Sequence, residues 1–249
     1  MTEKLKPTQP NPRPPLSAVL GHGDLGVSLL AIFPLFLIYE IGVAFSPMVN
    51  GVDFISRNLY ALVDYNRTSY LLIHGALALA FLGILWAVRR ARALPRGRYL
   101  PMLLESAIYA LTLGTLIIFV MDRLLGVDPR LATGSKIEGS ALLMSIGAGV
   151  HEELVFRLGG LAGGAALLRL FGLKHGLAVT FAFVVSSVLF SAAHHIGAHG
   201  DPFTLDVFVY RALAGALFGA IFYWRSLSHA VYTHALYDIY VLIVKPLFG

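Results

Sequence analysis

The chain has 249 residues and a formal net charge of +5; 57% of it is apolar, 13% is charged, and the mean hydropathy is +0.74. Soluble domains carry about 25% charged residues, so these proportions exclude an ordinary water-soluble domain and indicate a polytopic membrane protein. Cysteine is absent, which excludes disulfides, thiolate metal sites, iron–sulfur clusters and a cysteine nucleophile. The excess of positive charge forms no basic helix or aromatic-interleaved patch for nucleic acid, and cytoplasmic loops on an anionic membrane account for it.

Residues 1–24 read as a polar, proline-rich tail, with Pro7, Pro10, Pro12, Pro14 and Pro15 in its first part. A cleavable signal peptide is not expected, because the first apolar run starts late, is long and lacks a small-residue cleavage site. Residues 25–249 read as one all-α membrane domain, a transmembrane helix bundle of runs near the ~20 residues that a bilayer requires. The runs are 25–45 with a lone Glu40, 70–88, 102–120 with Glu105 near one end, 140–158, 176–193, 207–224 with Arg211, and 226–244 with Asp238. Residues 159–174 are apolar but too short to span alone, and are read as a continuation of the fourth run. The expectation is seven spans, or eight if that segment crosses separately. Lysine and arginine are densest at 89–101 (Arg89, Arg90, Arg92, Arg96, Arg98) and absent from 194–206. That bias places the N-terminus and the 89–101 loop on the cytoplasmic side.

Ionisable groups inside spans cost about 2.5–3.5 kcal/mol each on insertion scales, so each needs a reason. The second half of the chain concentrates them. The fourth run carries Glu152, Glu153 and Arg157, the fifth ends Phe190-x-x-x-His194, and the seventh carries His234-x-x-x-Asp238. Residues four apart share a helical face, so three helices each present a polar patch, and a common polar cavity hides all three from lipid. Glu152 and His194 lie equally far along the chain from a turn near Leu173, marked by Gly172, Lys174 and Gly176. An antiparallel hairpin therefore brings them to one depth, whereas His234 requires an offset of the last two helices. The pairs Gly159/Gly163, Gly160/Gly164 and Gly215/Gly219 are spaced for close helix packing, or are ordinary membrane-helix glycines. Two adjacent carboxylates in a low-dielectric site cannot both ionise cheaply, so one is poised to act as general base on water. An opposing histidine and a further polar pair can donate to an oxyanion. The set suits hydrolysis of a peptide bond within the membrane.

The order Glu-Glu-x-x-x-Arg, then Phe-x-x-x-His, then His-x-x-x-Asp, on separate membrane helices between about 140 and 240, resembles the CPBP family. That family comprises CAAX prenyl endopeptidases, bacteriocin-processing and immunity proteins, and abortive-infection-type membrane proteases. The resemblance implies a glutamate-dependent intramembrane endopeptidase, without metal or cofactor, acting on a membrane-associated protein or peptide. Carried onto this chain, Glu152 would activate water, Glu153 would assist or orient it, Arg157 would hold the glutamates, and His194 would position water or the oxyanion. His234 with Asp238 would complete the site. The chain departs from the prenyl-endopeptidase branch at Asp238, where that branch more usually has Asn. The departure favours a bacterial branch in an inner membrane, of which myxosortase-type enzymes are one candidate.

Other readings can be set beside this one. His151-Glu152 opens like a zinc-binding H-E-x-x-H, but Val155 stands where the second histidine belongs. A zinc site from His194, His234 and a glutamate is stereochemically open. Gly21-His22-Gly23-Asp24 with Tyr237-Asp238 has the elements of intramembrane aspartyl proteases in reversed order, and no rhomboid-type serine motif is present. A non-catalytic scaffold or immunity-type binding protein of the same fold is the alternative from another class, and a proton-coupled transporter lacks the inverted repeat it would need. Arg211 either counters a carboxylate, lines an entry or snorkels. His195 and His199 read as loop groups, His22, His74 and His229 as structural, Glu40 as a buried hydrogen-bonding group, and His151 as facing away from Glu152.

Overall fold

The computed structural model describes residues 25–46, 52–91, 99–127, 140–196 and 200–247. The tail at 1–24, with His22 and Asp24, most of the basic 89–101 loop and His199 lie outside the described residues. The fold is all-helical, with no strand among the described residues. In chain order it comprises α1 (Leu25–Val43), α2 (Phe54–Leu62), α3 (Arg67–Ala91) and α4 (Tyr99–Val120), which widens into a π-helical turn at Met121–Leu125. Then come α5 (Ala141–Gly147), a π-helical stretch (Ala148–Gly163), α6 (Gly164–Leu170), α7 (His175–Ala193), α8 (Leu205–Trp224) and α9 (Leu227–Ile239). α9 continues into a π-helical turn at Tyr240–Val244 and a short 3₁₀ turn at Lys245–Leu247.

Among the described residues five helices are long and apolar enough to cross a bilayer: Leu25–Val43, Arg67–Ala87, Tyr99–Leu125, His175–Ala193 and Leu205–Trp224. The expected spans at 140–158 and 226–244 are not among them. They carry the ionisable and imidazole groups, which lower the apolarity that defines a span. Residues 159–170 continue the fourth run without a break, because α5, the π-helical stretch and α6 join end to end. Gly172 then takes φ +92°, a left-handed conformation that glycine adopts without steric cost, and the chain turns into α7. α2 has no counterpart among the expected spans. Asp53 starts it by accepting the Ser56 N–H at 2.9 Å.

The outer helices turn apolar side chains outward. Leu72, Leu79 and Trp86 of α3, Leu104, Ile108 and Leu111 of α4, and Leu177, Phe181, Val184 and Val188 of α7 are all exposed at helical spacing. In a bilayer these faces meet lipid, and the polar side chains of the site helices must point inward. Two buried clusters hold the inner helices together. One joins Val150, Leu161 and Ala165 to Ala182, Phe222 and Val231, and the other joins Phe156, Phe190 and Phe218 to Leu113 and Ile117.

The small-residue pairs divide by position. A Cβ on Gly215 would fall 3.1 Å from the Ser187 carbonyl oxygen, and one on Gly219 would fall 3.0 Å from the Phe183 ring. Gly160 likewise faces Ser186 at 3.1 Å, but Gly159 and Gly163 have only their own helix within 4 Å. A closer approach to backbone than any of these is one the pair spacing does not mark. A Cβ on Gly149 would lie 2.7 Å from the Ala235 Cβ and 2.9 Å from the Val231 carbonyl oxygen. Backbone cannot yield there, so Gly149→Val is expected to destabilise the bundle by about 1–3 kcal/mol. Gly159→Ala should be near neutral, and thermal unfolding in one detergent compares them.

Candidate active site

The helix that runs from Ala141 to Leu170 carries the acidic pair in its π-helical stretch, a rare geometry that is frequent at functional sites. Glu152 and Glu153 leave it in different directions. Glu152 meets His194, the residue that ends α7, with Oε2 3.5 Å from Nε2. The His194 Nδ1–H donates to the Phe190 carbonyl at 2.8 Å, which fixes the ring and leaves Nε2 aimed at Glu152. The Ser186 hydroxyl of α7 donates to the Phe156 carbonyl at 2.5 Å and ties the two helices one turn further on.

Glu153 is fully enclosed. Its Oε2 pairs with Arg157 Nε at 2.9 Å, and its Oε1 accepts from His234 Nδ1 at 2.8 Å. Arg157 is 1% exposed, and its guanidinium lies over the rings of Phe190 at 4.5 Å and Phe218 at 5.6 Å. The His234 ring stacks on Phe218 with centroids 4.4 Å apart. Its Nε2 faces Asp238 Oδ2 at 3.6 Å, one helical turn along α9. Burying one cation among three carboxylates is tolerable only if the remaining charge is matched. His234, with a carboxylate at each ring nitrogen, is placed to supply that match.

A cavity of about 910 Å³ opens beside this cluster, lined by His194, His234 and Asp238 on one side. A cavity between the fourth, fifth and seventh runs was expected. Its walls instead come from α7, α8, α9 and the π-helical turn after α4, and Glu152 stands behind His194. α8 supplies Tyr210, Arg211, Ala214 and Phe218. Arg211 pairs with Asp201 at the rim, and Tyr210 hydrogen-bonds Tyr237. Of these, only Arg211 stood out in the sequence, as a charge within a span; the tyrosines carry no spacing signal.

His195, His229 and Arg225 have identifiable partners. The His195 Nδ1–H donates to the Asp201 carbonyl at 3.1 Å, and its ring packs on Phe203, so it shapes the loop before α8. His229 bonds Ser226 at 2.6 Å, and Arg225 pairs with Glu105 at 2.5 Å. His194, His234 and the glutamates do not form a metal-ligating set. Among the described residues, the one group of three whose donor atoms all lie within 4.8 Å of one another is Glu40, Asp53 and His151, on a different face of the site helix.

The outward apolar helices and the buried acid–imidazole cluster define a multi-pass integral membrane protein. Residues 137–240 match the family model described as type II CAAX prenyl endopeptidase Rce1-like. That segment is an Rce1-like domain, as the motif order implied, and it contains Glu152, Glu153, Arg157, His194, His234 and Asp238. No curated protein and no solved structure matches the chain.

Proposed function

We propose that the protein is an intramembrane endopeptidase that cleaves a membrane-associated protein or peptide by glutamate-activated water. The observation that carries this reading is the placement of the Glu152 carboxylate and the His194 ring within reach of one water, beside a cavity that also admits His234. Glu152 takes a proton from that water as its oxygen bonds to the scissile carbonyl carbon. The oxyanion is met by the imidazole N–H of His234, whose other nitrogen is held by Glu153. On collapse the C–N bond breaks, the proton passes from Glu152 to the leaving amine, and the carboxylate is restored. Glu153 and Arg157 touch no substrate in this scheme; they are positioning residues for His234. Asp238 orients His234 from the cavity side, a role open to a carboxylate, which has no proton of its own to donate.

The membrane in question is proposed to be a bacterial inner membrane. A co-expression screen of tail-anchored, lipidated and sorting-signal substrates, read by mass spectrometry of new termini, tests the reading. New termini should appear with the wild type and be missing with Glu152→Ala. Arg211 gives a second test. It lines the cavity, and its Nη1 is buried without a hydrogen-bond partner among the described residues. A peptide carbonyl or carboxylate satisfies that donor. A hydrogen bond to a charged group is worth about 1.5–3 kcal/mol, so Arg211→Gln should raise KM on the order of tenfold or more. Its kcat should be little changed, as expected for uniform binding.

A further inference from the structure

We propose that the protein holds a divalent transition-class cation at a second buried site, with Glu40, Asp53 and His151 as ligands. The three come from α1, the start of α2 and the π-helical stretch, and all are buried. His151 Nε2 lies 3.4 Å from Asp53 Oδ1 and 3.6 Å from Glu40 Oε1, and it has no hydrogen-bond partner among the described residues. Those separations are long for hydrogen bonds. They are close to the edges of a tetrahedron with metal–ligand bonds of about 2.0–2.2 Å.

The surroundings are those of metal ligands. The His151 Nδ1–H donates to the Gly147 carbonyl at 3.1 Å, which turns the Nε2 lone pair toward the two carboxylates. His74 is held in the same way by the Tyr70 carbonyl at 2.9 Å, and its Nε2 lies 3.2 Å from Glu40 Oε2. Tyr39 donates to Asp53 at 2.8 Å, Ser56 donates to Glu40 at 2.6 Å, and Tyr70 also bonds Glu40. Outer hydrogen bonds of this kind orient ligating carboxylates and imidazoles.

Charge balance points the same way. Among the described residues no lysine or arginine pairs with Glu40 or Asp53; with neutral imidazoles at His74 and His151 beside them, both carboxylate charges need a cation. A divalent cation neutralises both carboxylates and takes the unpartnered nitrogen. Imidazole with carboxylates at tetrahedral spacing suits Zn²⁺ over Mg²⁺ or Ca²⁺. Bound there, the cation would clamp α1 and α2 to the helix that carries Glu152.

The test uses the untagged full chain in detergent, stripped by chelator and dialysed against Zn²⁺, with bound metal counted by elemental analysis. About one equivalent is expected in the wild type and in Glu152→Gln. His151→Gln and Asp53→Asn, each monodisperse by size exclusion, should lose it, and excess Mg²⁺ should not compete. Equal binding in both ligand variants, or loss in Glu152→Gln, overturns the proposal. Should neither ligand variant fold, Co²⁺ bound to the wild type decides: tetrahedral d–d absorption supports the site, and its absence overturns it. The readout is bound metal, so the result stands or falls apart from the protease reading.

Discussion

Glu152→Gln is expected to lower the cleavage rate by on the order of 10²–10⁴-fold, the usual contribution of a positioned general base. The amide keeps the volume and a hydrogen-bonding oxygen but cannot accept the proton of the attacking water. Because Glu152 faces His194 and is separate from the Glu153–Arg157 pair, the change should leave thermal stability and substrate affinity nearly intact. A fall in kcat with unchanged KM, measured on reconstituted protein, is the signature. A variant that cleaves at the wild-type rate removes Glu152 from the reaction.

Arg157→Met is expected to cost about 3–5 kcal/mol, the loss typical when one partner of a buried ion pair is removed. The substitution leaves Glu153 without its cation in a site that is 0% exposed. It also removes the guanidinium from the faces of Phe190 and Phe218. Glu153→Gln in the same chain should recover part of the loss, because the stranded charge disappears with its partner. Thermal unfolding of both single variants and the double variant completes the cycle and isolates the pair energy. Additive losses would show that Arg157 stabilises through its ring contacts alone.

Local patterns were the legible part of this protein. Glu153 with Arg157 and His234 with Asp238 follow from four-residue spacing on a helix, and the structure places each pair on one face. The equal chain distance from the turn at Leu173 placed Glu152 level with His194, and the two side chains meet at 3.5 Å. The assembly of distant helices was not legible. Glu40 looked like an isolated charge because its partners Ser56, Tyr70, His74 and His151 lie on three other helices at unrelated spacings. His151 does face away from Glu152, as one helical step suggests, but toward a second polar cluster. His74 belongs to that cluster too, beside Glu40. The span count was obscured by buried polar groups. Helices that bury acids and imidazoles sacrifice the apolarity by which spans are recognised.

The most direct measurement of the central claim is an experimental structure of Glu152→Gln in a lipid nanodisc with a bound substrate peptide. The account predicts the scissile carbonyl in the cavity between His194 and His234, with an ordered water bridging residue 152 to the His194 ring. A peptide seated elsewhere, or side chain 152 farther than one water from both imidazoles, would contradict it.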